Sequence, residues 1–122
     1  MTTVYSTHLD IKYQPLQRID VQQLVDECTD QWWNQTLCKV NDSVVRLGVL
    51  YGEYHWHAHD NEDEFFFVVE GTLLIDVEGR DTYELPPRAA VTIPSGVRHR
   101  PRAPERVVVL MVEPHTVTPT GD

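Results

Sequence analysis

The chain has 122 residues, 41% of them apolar and 24% charged, a size and composition that suit one globular domain and exclude a disordered chain. Nineteen acidic against ten basic side chains give a net charge of −9, which repels phosphate backbones and anionic lipid and argues against nucleic-acid and membrane-surface partners. No apolar run approaches the roughly 20 residues of a membrane span, the first residues lack the basic start and apolar stretch of a signal peptide, and Cys28 and Cys38 form neither a disulfide framework nor a C-x-x-C motif, so a cytoplasmic protein with reduced thiols is expected.

Residues 20–28 are the first helix signal: Val21, Leu24, Val25 and Cys28 share one helical face. Asp20 is placed to cap the first turn, with Gln23 at capping-box spacing, and the helix is expected to end near Asp30. Trp32 and Trp33 then read as packing residues that cover a barrel or form a subunit contact. From Ser43 to Glu113 the sequence breaks into short β segments, predicted over 44–51, 53–57, 64–69, 72–77, 82–85, 90–93 and 106–112. Gly71, Gly79, Pro86-Pro87, Pro94-Ser95-Gly96 and Pro114 separate or end them. Short strands at this spacing, with no stretch for crossover helices, predict an all-β sandwich or barrel. The whole chain, 1–122, reads as one domain: an N-terminal arm and helix over 1–40, a β-barrel over 41–114 and a polar, extended tail over 115–122.

The segment richest in chemistry is Tyr54-His55-Trp56-His57-Ala58-His59, followed by the acidic turn Asp60-Asn61-Glu62-Asp63 and then Glu64. Side chains two apart in an extended chain face the same way, so His55, His57 and His59 are expected on one side. Neutral imidazole is the commonest metal ligand. Glu64 opens the next β run, where a hairpin would return it beside His57 and His59, and His99 after the rigid Pro94-Ser95-Gly96 turn offers a fourth donor. Glu62 and Asp63 read as solvated turn residues that raise the negative potential where a cation enters.

His57-x-His59-x4-Glu64-x6-Gly71 resembles the first motif of the cupin superfamily, and Pro94-Ser95-Gly96-Val97-Arg98-His99 resembles its second. The stretch from Trp56 to Gly71 and the terminal Thr118-Pro119-Thr120-Gly121-Asp122 are similar to small single-domain cupins of the mannose-6-phosphate isomerase-like group. The resemblance implies a double-stranded β-helix, a small jelly-roll barrel. It also implies one divalent metal, Fe, Mn, Ni, Zn or Cu, held inside by His57, His59, Glu64 and His99. Arg88 stands where the second motif usually begins with Gly, so a rebuilt turn helped by Pro86-Pro87 is expected, and Ala103 stands where the family often has Asn. His55 is assigned to the surroundings or rim of the site, and is the first candidate for a base.

Three imidazoles and a carboxylate leave open positions on an octahedral ion, unlike a closed structural zinc site. Glu64, Phe66 and Val68 share a strand face, which makes Phe66 and Val68 the expected walls of a substrate pocket. Arg98, Arg100, Arg102 and Arg106 are expected at the surface or in a subunit contact, and a homodimer is expected because a small barrel with open edges pairs readily. The expected function is a metalloenzyme acting on a small organic molecule, of dioxygenase or sugar isomerase type. The alternative is a cupin module that binds metal or a small-molecule ligand without catalysis.

Overall fold

A computed structural model describes residues 3–122. Its elements are β1 (Tyr5–His8), α1 (Val21–Glu27), β2 (Trp32–Val40), β3 (Ser43–Glu53), β4 (Glu64–Glu70), β5 (Leu73–Val77), β6 (Tyr83–Leu85), β7 (Ala90–Ile93) and β8 (His99–Pro114). The strands run β1-β2-β3-β8-β4-β7 through a rolled sheet, and β8 also pairs with β5, which pairs with β6. Apart from parallel β1–β2, every ladder is antiparallel.

The two-residue period of β8 sorts the molecule into an inside and an outside. Val107, Val109 and Met111 face inward and pack with Leu50, Phe66, Val68, Leu73 and Ile75. Val108 and Leu110 face outward, where Leu47 and Val49 join them under Val21, Leu24 and Val25 of α1 and under Tyr13 and Ile19. The helix therefore roofs the outer face of the sheet. Its apolar side and its cap match the sequence reading: the Asp20 carboxylate accepts from Gln23 N at 3.1 Å. Gln23 does not complete a capping box, because its amide donates to Glu27 instead. No helix among the described residues is long and apolar enough to cross a membrane.

Three boundaries differ from expectation. Residues 32–40, read as part of an arm, form β2 and pair along β3; inward Asn34 and buried Gln35 and Thr36 hide the apolar alternation that marks a strand. Residues 53–57 are not a strand: β3 ends at Glu53, and the chain from Tyr54 to Asp63 leaves the ladders except for one bridge between His57 and His99. β8 begins at His99, seven residues early, and carries Pro101 and Pro104 within it. Proline removes a donor but not an acceptor, and Pro101 O still accepts from Tyr54 N at 3.0 Å.

Gly71 sits at φ +76°, and a Cβ there would lie 2.5 Å from Arg106 O, so only glycine fits this turn. Arg88 takes φ +71°, its N donates to Val68 O at 2.8 Å, and Ala89 N donates to Pro86 O at 3.0 Å. A left-handed non-glycine residue costs roughly 1–2 kcal/mol. Arg88→Gly is expected to stabilise the fold by about 0.5 kcal/mol after the entropy of glycine is deducted, read as a raised denaturation midpoint.

Arg98 and Arg106 are exposed and Arg100 and Arg102 half-buried, in keeping with the surface position expected, and all four also bond within the chain. Asp76 on β5 accepts from Arg100 Nε and Nη2, from Arg102 Nε and Nη2 and from Thr82 Oγ1. Arg98 pairs with Glu78 at 3.0 Å, and Arg106 Nη2 donates to Val25 O in α1 at 3.0 Å. The bonds from Arg102 above all, with those from Thr82 and Arg100, hold the Asp76 carboxyl well below the usual carboxylate range despite its burial. Asp76→Asn is expected to cost about 1–2 kcal/mol at pH 7, since the arginine partners are partly exposed. A depressed carboxyl stabilises only above its unfolded value, so the deficit should fade as the pH drops from about 4 toward 2. A deficit unchanged at pH 2 in urea titrations would contradict this account.

Candidate metal centre

His57, His59, Glu64 and His99 are all buried, and one donor atom from each lies within 4.8 Å of the others. Different devices bring them there. Glu64 is the first residue of β4 and faces inward with Phe66 and Val68. His57 and His99 face each other across a two-bond bridge, His57 N to His99 O at 3.0 Å and His99 N to His57 O at 2.8 Å. His59 is fixed by Gly96 N, which donates to His59 O at 2.8 Å, while Ser95 N donates to the Asp63 carboxylate at 2.9 Å. The Pro94-Ser95-Gly96 turn is thus clamped onto the histidine segment. No hairpin returns Glu64 beside the histidines, since β4 pairs with β7 and β8.

The hydrogen bonds prepare the rings for metal. His57 Nδ1 contacts His55 O at 3.0 Å and His99 Nδ1 contacts Val97 O at 2.9 Å. A carbonyl only accepts, so each Nδ1 carries its proton and each Nε2 keeps a lone pair, the arrangement typical of metal-bound histidine. His99 Nε2 and His59 Nε2 lie 3.3 and 3.6 Å from Glu64 Oε1. Both His59 ring nitrogens are buried without a hydrogen-bond partner. Polar atoms are rarely left so, and a cation between these donors would partner one of the two. The donor set fits a divalent ion.

Electrostatics agree. Burial alone would raise Glu64, but the His59 and His99 rings, 3.6 and 3.3 Å from its Oε1, reverse this and hold its carboxyl far below the usual range. Burial pushes His57 down to about 4, so it is neutral at pH 7. His59 is pulled down by burial and lifted further by Glu64, and ends above its ordinary value. Glu113 stands beside Glu64, and burial together with the Glu64 charge pushes it up to about 9.

Behind the cluster lies a cavity of about 30 Å³. His57, Glu64 and Phe66 line it with Trp32, Tyr54, Arg46 and Glu113. Residues 46–113 match the cupin domain family. The chain is a cupin. This cupin is 42% identical over 90 residues to the uncharacterized protein YdbB of Bacillus subtilis (strain 168), covering 74% of this chain and 80% of that one. Its fold is similar to that of a cupin-2 domain protein from Shewanella frigidimarina, with 31% identity, TM-score 0.74, and 79% and 93% of the two chains covered. It is also similar in fold to NMB1881 from Neisseria meningitidis, with 23% identity, TM-score 0.71, and 80% and 99% covered.

Of the residues singled out in the cupin sequence, Phe66 lines the cavity, while Val68 is fully buried in the apolar interior. His55 is exposed at the rim: its ring stacks on Tyr54 at 4.2 Å and its Nε2 donates to Thr120 O at 2.8 Å. Glu62 accepts from Thr116 Oγ1 at 2.8 Å rather than being merely solvated. The tail, expected to be extended, folds over the histidine segment. Asp122 N donates to Ala58 O, and the Asp122 carboxylate accepts from Asp60 N. Gly121 packs so closely that a Cβ would lie 2.6 Å from His57 Cβ. Arg46, Glu113 and Asn34 were missed. A charged residue at an inward position of the run Val44 to Tyr51 was the available signal for Arg46.

Proposed function

We propose that this cupin is a metal-dependent enzyme acting on a small organic substrate, by a dioxygenase-type or sugar isomerase-type reaction. The observation that carries this reading is the buried quartet His57, His59, Glu64 and His99, whose Glu64 and His57 border a lined cavity. A divalent ion held there supplies Lewis acidity or one-electron redox chemistry. Glu64 contributes the anionic ligand, and His57 and His99 offer Nε2 with Nδ1 tied to carbonyls. Tyr54, through its hydroxyl bond to Pro119 O at 3.1 Å, and the tail exclude water. Glu113 holds a proton at its carboxyl beside Glu64 and is a better acid–base group than His55, whose Nε2 is committed to Thr120 O.

The second reading, a binding module without turnover, is favoured by the size of the cavity, which suits about one water molecule. Likeness to the mannose-6-phosphate isomerase-like group supports the isomerase version, two free thiols suit a cytoplasmic setting, and the sheet edge at β1 suits a homodimer. Elemental analysis of tag-free protein, followed by a substrate screen on the metal-loaded form, tests the proposal. Turnover lost in a folded His57→Ala protein supports the enzyme. Ligand binding with no turnover supports the module, protein that takes up no metal overturns the enzyme, and protein that binds neither metal nor ligand overturns both.

A further inference from the structure

The cavity has a polar pole opposite its apolar walls. Arg46 on β3 and Glu113 on β8 both point inward, and Nε lies 3.1 Å from Glu113 Oε1 with the side chains only 4% and 2% exposed. Asn34 on β2 stands with them in the lining, which also includes His57 and Glu64. Arg46 Nη1 and Asn34 Oδ1 are buried without a hydrogen-bond partner. Each such atom costs roughly 1–3 kcal/mol. The first lacks an acceptor and the second lacks a donor.

Charge defines the missing partner further. Arg46 against Glu64 and Glu113 leaves one excess negative charge with both carboxyls ionised and none with Glu113 protonated, so a divalent ion leaves an excess of one or two positive charges. Enclosed excess charge is strongly unfavourable without a counter-ion. The metal-loaded cavity therefore calls for an anion that can also donate a hydrogen bond. A guanidinium pairs best with a planar carboxylate. We propose that the cavity binds a short-chain hydroxy acid, with its carboxylate on Arg46 and its hydroxyl donating to Asn34 Oδ1. This rests on the metal reading and narrows the substrate to an acid of two or three carbons. Trp32, Phe66 and Met111 flank its carbon chain. As closed in the structure the cavity of about 30 Å³ holds only about one water, so both entry of the acid and the room for it require Pro119, which closes the cavity on the tail side, to withdraw.

The test uses the full chain loaded with Mn(II), titrated calorimetrically with glycolate, acetate and ethanediol, with the Mn(II) electron paramagnetic resonance spectrum recorded alongside. Glycolate is expected to bind at least tenfold more tightly than acetate or ethanediol and to alter the spectrum. Arg46→Gln should weaken glycolate at least tenfold while changing Mn(II) affinity by less than that. Should Arg46→Gln fail to fold, Asn34→Ala, which keeps the ion pair, should reduce the preference for glycolate over acetate to less than threefold. Glycolate binding no tighter than ethanediol, or undiminished in both variants, overturns the inference and leaves the metal centre standing. Failure of the wild-type chain to bind Mn(II) or any other divalent ion overturns both.

Discussion

Alanine in place of Glu64 or His99 is expected to abolish the stabilisation that a divalent metal confers on the wild-type protein. A ligand that binds only the folded state stabilises it by about 2.7 kcal/mol at one hundred times its dissociation constant. For a chain of this length that is a rise of roughly 10 °C in melting temperature. Glu64 supplies the only carboxylate among the four buried donors, and His99 is fixed by its bridge to His57 and by the bond from Nδ1 to Val97 O. Losing either leaves three donors and should weaken binding by more than ~100-fold, beyond the 10–100-fold typical of residues that only orient ligands. Glu62→Gln, at the rim, should keep most of the shift. The metal-free Glu64→Ala protein should still fold, because His59, left without the carboxylate, sheds its proton rather than remaining a buried unpaired charge. A full metal-induced shift in the Glu64 or His99 variant, by scanning calorimetry, would refute the assignment.

The quartet that could hold a metal was legible in the sequence because its chemistry is local. His57 and His59 are two residues apart, Glu64 heads an aromatic run, and His99 follows a proline–glycine turn, so residue type and spacing carry the signal. The strands β3, β4, β5 and β7 were legible for a similar reason, as β-branched and aromatic runs between turn residues. β2 was not, since inward Asn34 and buried Gln35 and Thr36 interrupt its alternation, and their burial depends on β3 and on the segment before α1. Gln35, for instance, is satisfied by Asp10 O at 2.8 Å. The partner of Arg46 is 67 residues away at Glu113, and only the register of β3 against β8 brings them together. The tail was illegible on similar grounds: its bonds to Tyr54, His55 and Asp60 join residues more than sixty apart. Composition marks it polar, and polar segments close sites as readily as they leave them open.

Metal affinity is expected to fall by at least about tenfold per pH unit between pH 6 and pH 5, as a ligand proton must leave before metal binds. His57 does not supply that proton, because burial keeps it neutral down to about pH 4. Glu64 does not either, since the neighbouring His59 and His99 rings outweigh its burial and keep it ionised. His59 does: burial lowers it, but the Glu64 carboxylate, aided by Asp122 and Glu62, raises it more, to above its ordinary 6.5. Below that value the metal-free His59 is protonated, and one proton per metal corresponds to tenfold per unit. The signs for folding without metal follow the same shifts. The raised His59 stabilises the fold fully below about pH 6.5 and loses that contribution as the pH rises through its folded value. The lowered His57 stabilises above about pH 6.5 and loses its contribution as the pH falls toward about 4. The gap in melting temperature between metal-loaded and metal-free protein should therefore narrow from pH 7 to pH 5. Calorimetric titration in two buffers of different ionisation heat counts the released protons directly. Glu62→Gln, which removes one charge that raises His59, should move the acid limb to lower pH. Equal affinity at pH 5 and pH 7 would mean that His59 gives up no proton on binding and does not serve as a ligand.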